Sequence, residues 1–117
     1  MTGNRAEIDA LLPLPPAAFH ILLVLSTGDR HGYGLGLDVE AATGGKVRLS
    51  PGTLYRTIHR LLEQGLIAES RTAVTLDPRR RPYRITPFGR AVAMAESARL
   101  AELVRLAEGA GLLLGST

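Results

Sequence analysis

The side chains best equipped for chemistry in this sequence are arginines: the run Arg79-Arg80-Arg81, and Arg56 and Arg60 before it. Their chemistry is anion binding. A guanidinium is planar, stays charged at any working pH and can grip a phosphate through two parallel hydrogen bonds. With Lys46 and Arg48 they belong to residues 46–90, a segment with ten basic side chains against three acidic ones, a local charge of +7. The rest of the chain has four basic and eight acidic side chains, or −4, which gives the formal net charge of +3. This uneven distribution points to one face turned towards a polyanion, with a merely solvated charged surface as the plain alternative.

Other reactive residue types do not assemble into a reaction centre. There is no cysteine, which excludes disulfides, thiolate catalysis and cysteine-ligated zinc. His20, His31 and His59 lack the H-x-x-x-H spacing of a helical metal site, so neither a metal nor a cofactor is expected. His31 is read instead as capping or orienting the start of a helix. Gly32-Tyr33-Gly34-Leu35-Gly36 resembles a nucleotide loop only until its last glycine, because G-x-G-x-x-G would place it at Leu37 or Val39, and no βαβ pattern surrounds it. Ser50 has no histidine and carboxylate pair near it in sequence, and helix capping accounts for it. No enzyme is expected.

The elements that must position the arginines are marked by caps. A first helix starts with Pro15 or Pro16 in its opening turn, turns Phe19, Leu22, Leu23 and Leu25 inward, and stops at Gly28. A second runs from about Gly32 to Ala42, with Tyr33, Leu37 and Ala41 on one side and Leu35, Val39 and Ala42 nearby, and ends at Gly44-Gly45. Tyr33 is expected to pack with its hydroxyl at the surface. Gly34 and Gly36 each cost this helix about 1 kcal/mol relative to alanine, so packing has to hold it. Lys46-Val47-Arg48-Leu49 alternates as a brief strand would. Ser50-Pro51 is a clear helix start: serine at the cap and proline at the first position. Leu54, Ile58, Leu61 and Leu62 then form an inward stripe, opposite Thr53, Arg56, His59, Arg60 and Glu63, until Gly65 closes the helix.

A strand over 66–72, prolonged by Val74 to Leu76, leads to an arginine-rich loop at 77–81, expected to be mobile, and Tyr83-Arg84-Ile85 returns as the second strand of a hairpin. Thr86-Pro87 opens a long last helix with two apolar stripes, Leu100-Val104-Ala107 and Leu103-Leu106-Ala110. Two stripes need two partners, so dimerisation through this helix is expected.

Two short helices, a third amphipathic helix and a basic hairpin describe a winged helix-turn-helix, mainly α with a small β-hairpin wing. A helix fits the major groove of double-stranded DNA, and its first turn aims small side chains and donors at bases and phosphates. The expected DNA contacts are Ser50, Pro51, Gly52, Thr53, Arg56, His59 and Arg60 on the recognition helix. Tyr55, Lys46, Arg48 and the N-terminus of the preceding helix would lie on phosphates, with His31, Gly32 and Tyr33 starting and orienting that helix, and Arg79, Arg80 and Arg81 would supply the wing contact. A winged-helix module that binds a protein and no DNA is the rival reading, against which the basic recognition face argues.

His31-Gly32-Tyr33-Gly34-Leu35, Thr43-Gly44-Gly45, Leu49-Ser50-Pro51-Gly52-Thr53-Leu54-Tyr55-Arg56, Gly65-Leu66-Ile67 and Arg80-Arg81-Pro82-Tyr83-Arg84-Ile85-Thr86 together resemble the PadR family of transcriptional regulators, in order over about residues 17–108. The resemblance implies a homodimeric bacterial or archaeal regulator, usually a repressor on a palindromic operator, with the last helix making the dimer. It also implies, for many members, a small hydrophobic or aromatic effector. Here a cleft between subunits beside Met94, Leu100 and Val104 would serve, and the same residues serve equally as plain dimer core. Two departures stand out. Pro82 occupies a position that is commonly aromatic and, lacking a donor, should lie at the edge or tip of the wing. The last helix has no aromatic residue after Phe88, which disfavours an effector stacked at the dimer centre.

At 117 residues the chain is one domain's length, and at 4% aromatic residues its core must come from Leu, Val, Ile and Ala. The expected organisation is a loose N-terminal arm at 1–14, the winged helix-turn-helix at 15–86, and a C-terminal dimerisation helix with a frayed tail at 87–117, whose interface comprises Met94, Leu100, Leu103, Val104, Leu106 and Ala107. The longest apolar run, Phe19 to Leu25, is too short to cross a bilayer, which takes about 20 residues. No export signal is apparent, so the cytoplasm is the default location and no membrane partner is expected.

Overall fold

The computed structural model describes residues 4–70, 77 and 79–113. Among the described residues, five helices and three short strands follow one another: α1 (Arg5–Asp9), α2 (Pro16–Leu25), β1 (Arg30–His31), α3 (Gly32–Ala42), α4 (Pro51–Glu63), β2 (Ile67–Glu69), β3 (Pro82–Ile85) and α5 (Pro87–Gly109). The strands form one antiparallel sheet in the order β1-β3-β2. The fold is mostly helical with a small wing, and the helix starts marked by Pro16, Ser50-Pro51 and Thr86-Pro87 lie where the caps place them.

The core gathers on α2. Ala18, Ile21, Leu22 and Leu25 repeat at i, i+3, i+4 and i+7, so they share one face, and all are buried. Leu23 lies off that face and is exposed, contrary to the inward position expected for it; Ile21 and Val24 are buried instead. On α3 the row Leu35 and Val39 faces inward, while Tyr33 and Leu37 are exposed, so Tyr33 does not pack as expected. Leu54, Ile58 and Leu61 of α4 complete the core with Leu66, Ile67, Tyr83 and Val92.

Several expectations need correction. The N-terminal segment is not a loose arm: the Asn4 side chain accepts the Glu7 N–H at 2.8 Å to cap α1, and Leu14 is buried. Lys46 to Leu49 forms no strand. The third strand comes from Arg30–His31, whose pairing with Tyr83 and Pro82 makes β3 central. Pro82 therefore lies in the middle strand and not at an edge. It is tolerated as the strand's first residue, where its carbonyl still accepts the Ser70 N–H at 2.8 Å. The parts of the expected hairpin at 71–76 and 78 lie outside the described residues.

One buried ion organises the N-terminal segment. Glu96 of α5 is 2% exposed, and its carboxylate accepts the Leu14 N–H at 3.0 Å and the Arg99 Nε–H at 2.5 Å. The hydrogen bonds from Arg99 hold its carboxyl below the ordinary glutamate range, burial opposes them, and the Leu14 N–H adds to the lowering. A depressed folded-state value means that the stabilisation is complete above the unfolded glutamate value and is lost as pH falls through the folded one. Acid titration of stability should show this loss in the wild type, and Glu96→Gln should flatten that part of the curve. At neutral pH Glu96→Ala leaves the Leu14 N–H buried without an acceptor, costing about 1–3 kcal/mol in chemical denaturation.

Beyond Glu96 no residue of α5 is buried. Met94, Leu103, Val104 and Leu106 are exposed, and Leu100 and Ala107 are half-buried. The distal part of α5 projects from the domain by roughly 20 Å at the usual helical rise.

Candidate nucleic-acid interface

The surface expected to meet DNA starts at the first turn of α4. Ser50 Oγ accepts the Thr53 N–H at 3.2 Å, and the Leu54 N–H closes on the Ser50 carbonyl at 2.8 Å. Pro51 has no N–H to offer. The Gly52 N–H is thus a backbone donor that the turn leaves over among the described residues. A side chain at Gly52 would meet nothing within 4 Å, so its lack of one leaves room for an approaching backbone.

The outward face of α4 presents Arg56, His59, Arg60 and Glu63, all exposed. Arg56 and Arg60 are one helical turn apart and form no ion pair among the described residues. His59 Nε2 lies 3.7 Å from Glu63 Oε1. Tyr55 is half-buried against the core, and burial raises its phenol, opposed by Arg79 and helped by Asp77. Tyr55 and Arg79 line one cleft between α4 and the wing root.

The described residues of the wing root are tied by local bonds. The Asp77 carboxylate accepts the Arg79 N–H at 3.0 Å and pairs with the Arg79 guanidinium at 3.1 Å; hydrogen bonds from the Arg79 side chain, then its backbone, hold the Asp77 carboxyl below its ordinary range. The carbonyls of Arg81 and Arg79 accept the N–H groups of Gly32 and Tyr33 at 3.2 and 3.1 Å. These are the first two donors of α3, and both serve the wing. His31 stands at its N-cap position without a capping side-chain bond. An open cleft of about 570 Å³ lies here, lined by His31, Tyr33, Arg79 and Arg80 among others.

Local pairing reduces the positive charge counted along the sequence. Arg48 bonds Glu40 of α3 at 2.9 Å, and Arg81 bonds Glu69 of β2 at 3.1 Å. Arg90 donates to the Ser26 carbonyl at 3.3 Å, at the end of α2. Lys46 and Arg80 remain exposed with Arg56 and Arg60. Sequence reasoning missed two supports. Thr43 Oγ1 donates to the Val39 carbonyl at 2.9 Å and accepts the Val47 N–H at 3.0 Å, which fixes the α3–α4 turn. Gly44 and Gly45 in that turn have φ of 62° and 82°. The second support is Arg30, which bonds Asp38 at 2.6 Å and ties β1 to α3. Thr43-Gly44-Gly45 is visible in the sequence, but nothing local announces the Thr43 bonds.

A helix-turn-helix made by α3 and α4, with a three-stranded wing behind it, defines a winged-helix protein. Residues 21–95 match the model of the transcriptional regulator PadR-like family. The transcriptional regulator Rv3488 of Mycobacterium tuberculosis is 40% identical over 90 residues, covering 76% of this chain and 81% of the relative. The chain belongs to the PadR-like family, which consists of transcriptional regulators and not of enzymes. Its fold is similar to that of a transcriptional regulator from Clostridium thermocellum, with a TM-score of 0.66 at 23% identity, covering 90% of this chain and 94% of that one. It is also similar to Bacillus subtilis PadR in complex with operator DNA, with a TM-score of 0.60 at 19% identity, covering 71% of this chain and 46% of that one. Among the described residues no helix is long and apolar enough to cross a membrane.

Proposed function

We propose that this transcriptional regulator is a cytoplasmic repressor that binds a palindromic operator as a homodimer, with α4 in the major groove. The observation that carries this reading is the outward face of α4, where Arg56 and Arg60 stand exposed and outside any ion pair among the described residues, beside a capped first turn with an open glycine. Ser50, Pro51, Gly52, Thr53 and Arg56 lie nearest the bases. His59, Arg60, Tyr55 and Lys46 flank them, Arg80 reaches out beside the paired Arg79 and Arg81, and Arg48 contributes after leaving Glu40. Bacillus subtilis PadR, which is similar in fold, has been seen in complex with operator DNA, which supports DNA as the partner. Titration of a labelled promoter duplex at low and moderate salt tests the reading. Affinity should fall steeply with salt, as counterion release requires, and a flat response or no binding of any duplex at low salt would refute it.

The dimer forms through α5, whose exposed Leu103, Val104 and Leu106 with Met94, Leu100 and Ala107 supply the apolar surface. Two half-sites then lie about one helical turn, ~10 bp, or a multiple apart. Light scattering at micromolar concentration should give a dimer. Val104→Asp should shift it towards monomer without unfolding the domain, since Val104 is exposed and stands outside the core. A small hydrophobic effector releases the operator.

A further inference from the structure

A groove of about 590 Å³ runs between the segment Ala10–Pro15 and the flank of α4. Its volume lies within the ~300–1,000 Å³ of small-molecule sites. Leu11, Leu14, Ala18 and Leu61 give it apolar walls, and Arg56 and Arg60 line it from the outer face of α4. We propose that this groove binds a single-chain carboxylate amphiphile, with the carboxylate held by Arg56 and Arg60 and the chain laid against Leu11, Pro13 and Pro15. The assignment rests on charge complementarity. Two exposed guanidiniums outside any ion pair among the described residues border an apolar cleft, a combination that fits an anion carrying a hydrocarbon tail better than a neutral or cationic molecule. Glu63 also lines the groove, two turns along α4 from Arg56, so the anionic head lies at the Arg56 end and the tail runs away from it.

The wall opposite α4 is anchored. The Leu14 N–H is held at 3.0 Å by the buried Glu96 carboxylate of α5, so the groove is shaped before any ligand arrives. Occupation uses the same two arginines that the proposed function assigns to DNA, so ligand and operator compete. This consequence rests on the DNA-reading role of α4, whereas binding in the groove does not.

Calorimetric titration of the full chain with sodium decanoate, below its micelle-forming range, tests the site. Saturable binding of one decanoate per chain is expected. Arg60→Ala should weaken it about tenfold or more, the loss expected for one charge-assisted hydrogen bond. Leu11→Asp should abolish it, with circular dichroism establishing that both variants fold. Decanol, which has the tail without the charge, should bind at least as much more weakly. No saturable heat with the wild type, an unchanged affinity in Arg60→Ala, or decanol bound as tightly as decanoate would each overturn the site. A second arm follows anisotropy of a labelled duplex, from which decanoate should displace the protein. Saturation without displacement would overturn the competition. Failure to bind any duplex would count against the DNA-reading role and leave the calorimetric result standing on its own.

Discussion

Gly89→Ala should destabilise this protein by about 3 kcal/mol or more, enough to leave much of it unfolded. A methyl group at Gly89 would lie 1.9 Å from the Leu66 carbonyl oxygen and 3.0 Å from Ile85 Cγ1. The backbone at Leu66 cannot yield. The Leu66 carbonyl accepts the Thr86 N–H at 3.1 Å, and the Thr86 hydroxyl donates to the Gly65 carbonyl at 2.7 Å while accepting the Gly89 N–H at 2.9 Å. The end of α4, the start of β2 and the first turn of α5 are thus knotted at one point, and Leu66 beside it is fully buried. Urea denaturation followed by circular dichroism measures the effect. Gly52→Ala is the control, because its new methyl group meets nothing within 4 Å and alanine favours helix. If Gly89→Ala lost no more than about 1 kcal/mol, the close seating of α5 on Leu66 would be wrong.

The double substitution Arg56→Ala, Arg60→Ala should weaken operator binding by roughly a hundredfold or more. Its salt dependence should become shallower by about one unit of slope for each phosphate deprived of its guanidinium. Both side chains are exposed, so the fold should be unaffected and thermal melting should stay near the wild type. Arg48→Ala is the informative comparison. Its guanidinium is engaged by Glu40 at 2.9 Å, and a DNA contact from it must first break that bond. A smaller loss is therefore expected there. If Arg48→Ala matched the double variant while Arg56 and Arg60 proved dispensable, the reading face would have to move from α4 to the turn preceding it.

The helices are legible in the sequence because their ends carry chemistry that acts within one turn. Pro16, Ser50-Pro51, Thr86-Pro87 and Gly65 each satisfy or remove a backbone group locally, and the spacing of Leu54, Ile58 and Leu61 does the rest. The short elements are not legible, for the complementary reason. β1 has two residues, too few for any periodicity, and exists because Tyr83 and Pro82 come to it from about fifty positions away. α1 has no buried residue and relies on Asn4, which by itself is an ordinary surface residue. Charge misleads in the same way: composition counts Arg48, Arg79 and Arg81 as available, whereas Glu40, Asp77 and Glu69 hold them, two of the three partners being distant in sequence. Leu23 shows the limit inside a helix, where a run of consecutive apolar residues does not reveal which of them face the core.

The hydrogen bonds from Gly32 and Tyr33 to the Arg81 and Arg79 carbonyls have a consequence for speed. On the proposed DNA-reading role, they fix the base of the wing against the helix pair before DNA is met, so that this part of the surface has little left to order during docking. A surface prepared in this way docks close to a rigid body, and its association rate is set by encounter and electrostatic steering more than by rearrangement. Differences in affinity among operator sequences should then appear mainly in how long the complex lasts and much less in how fast it forms.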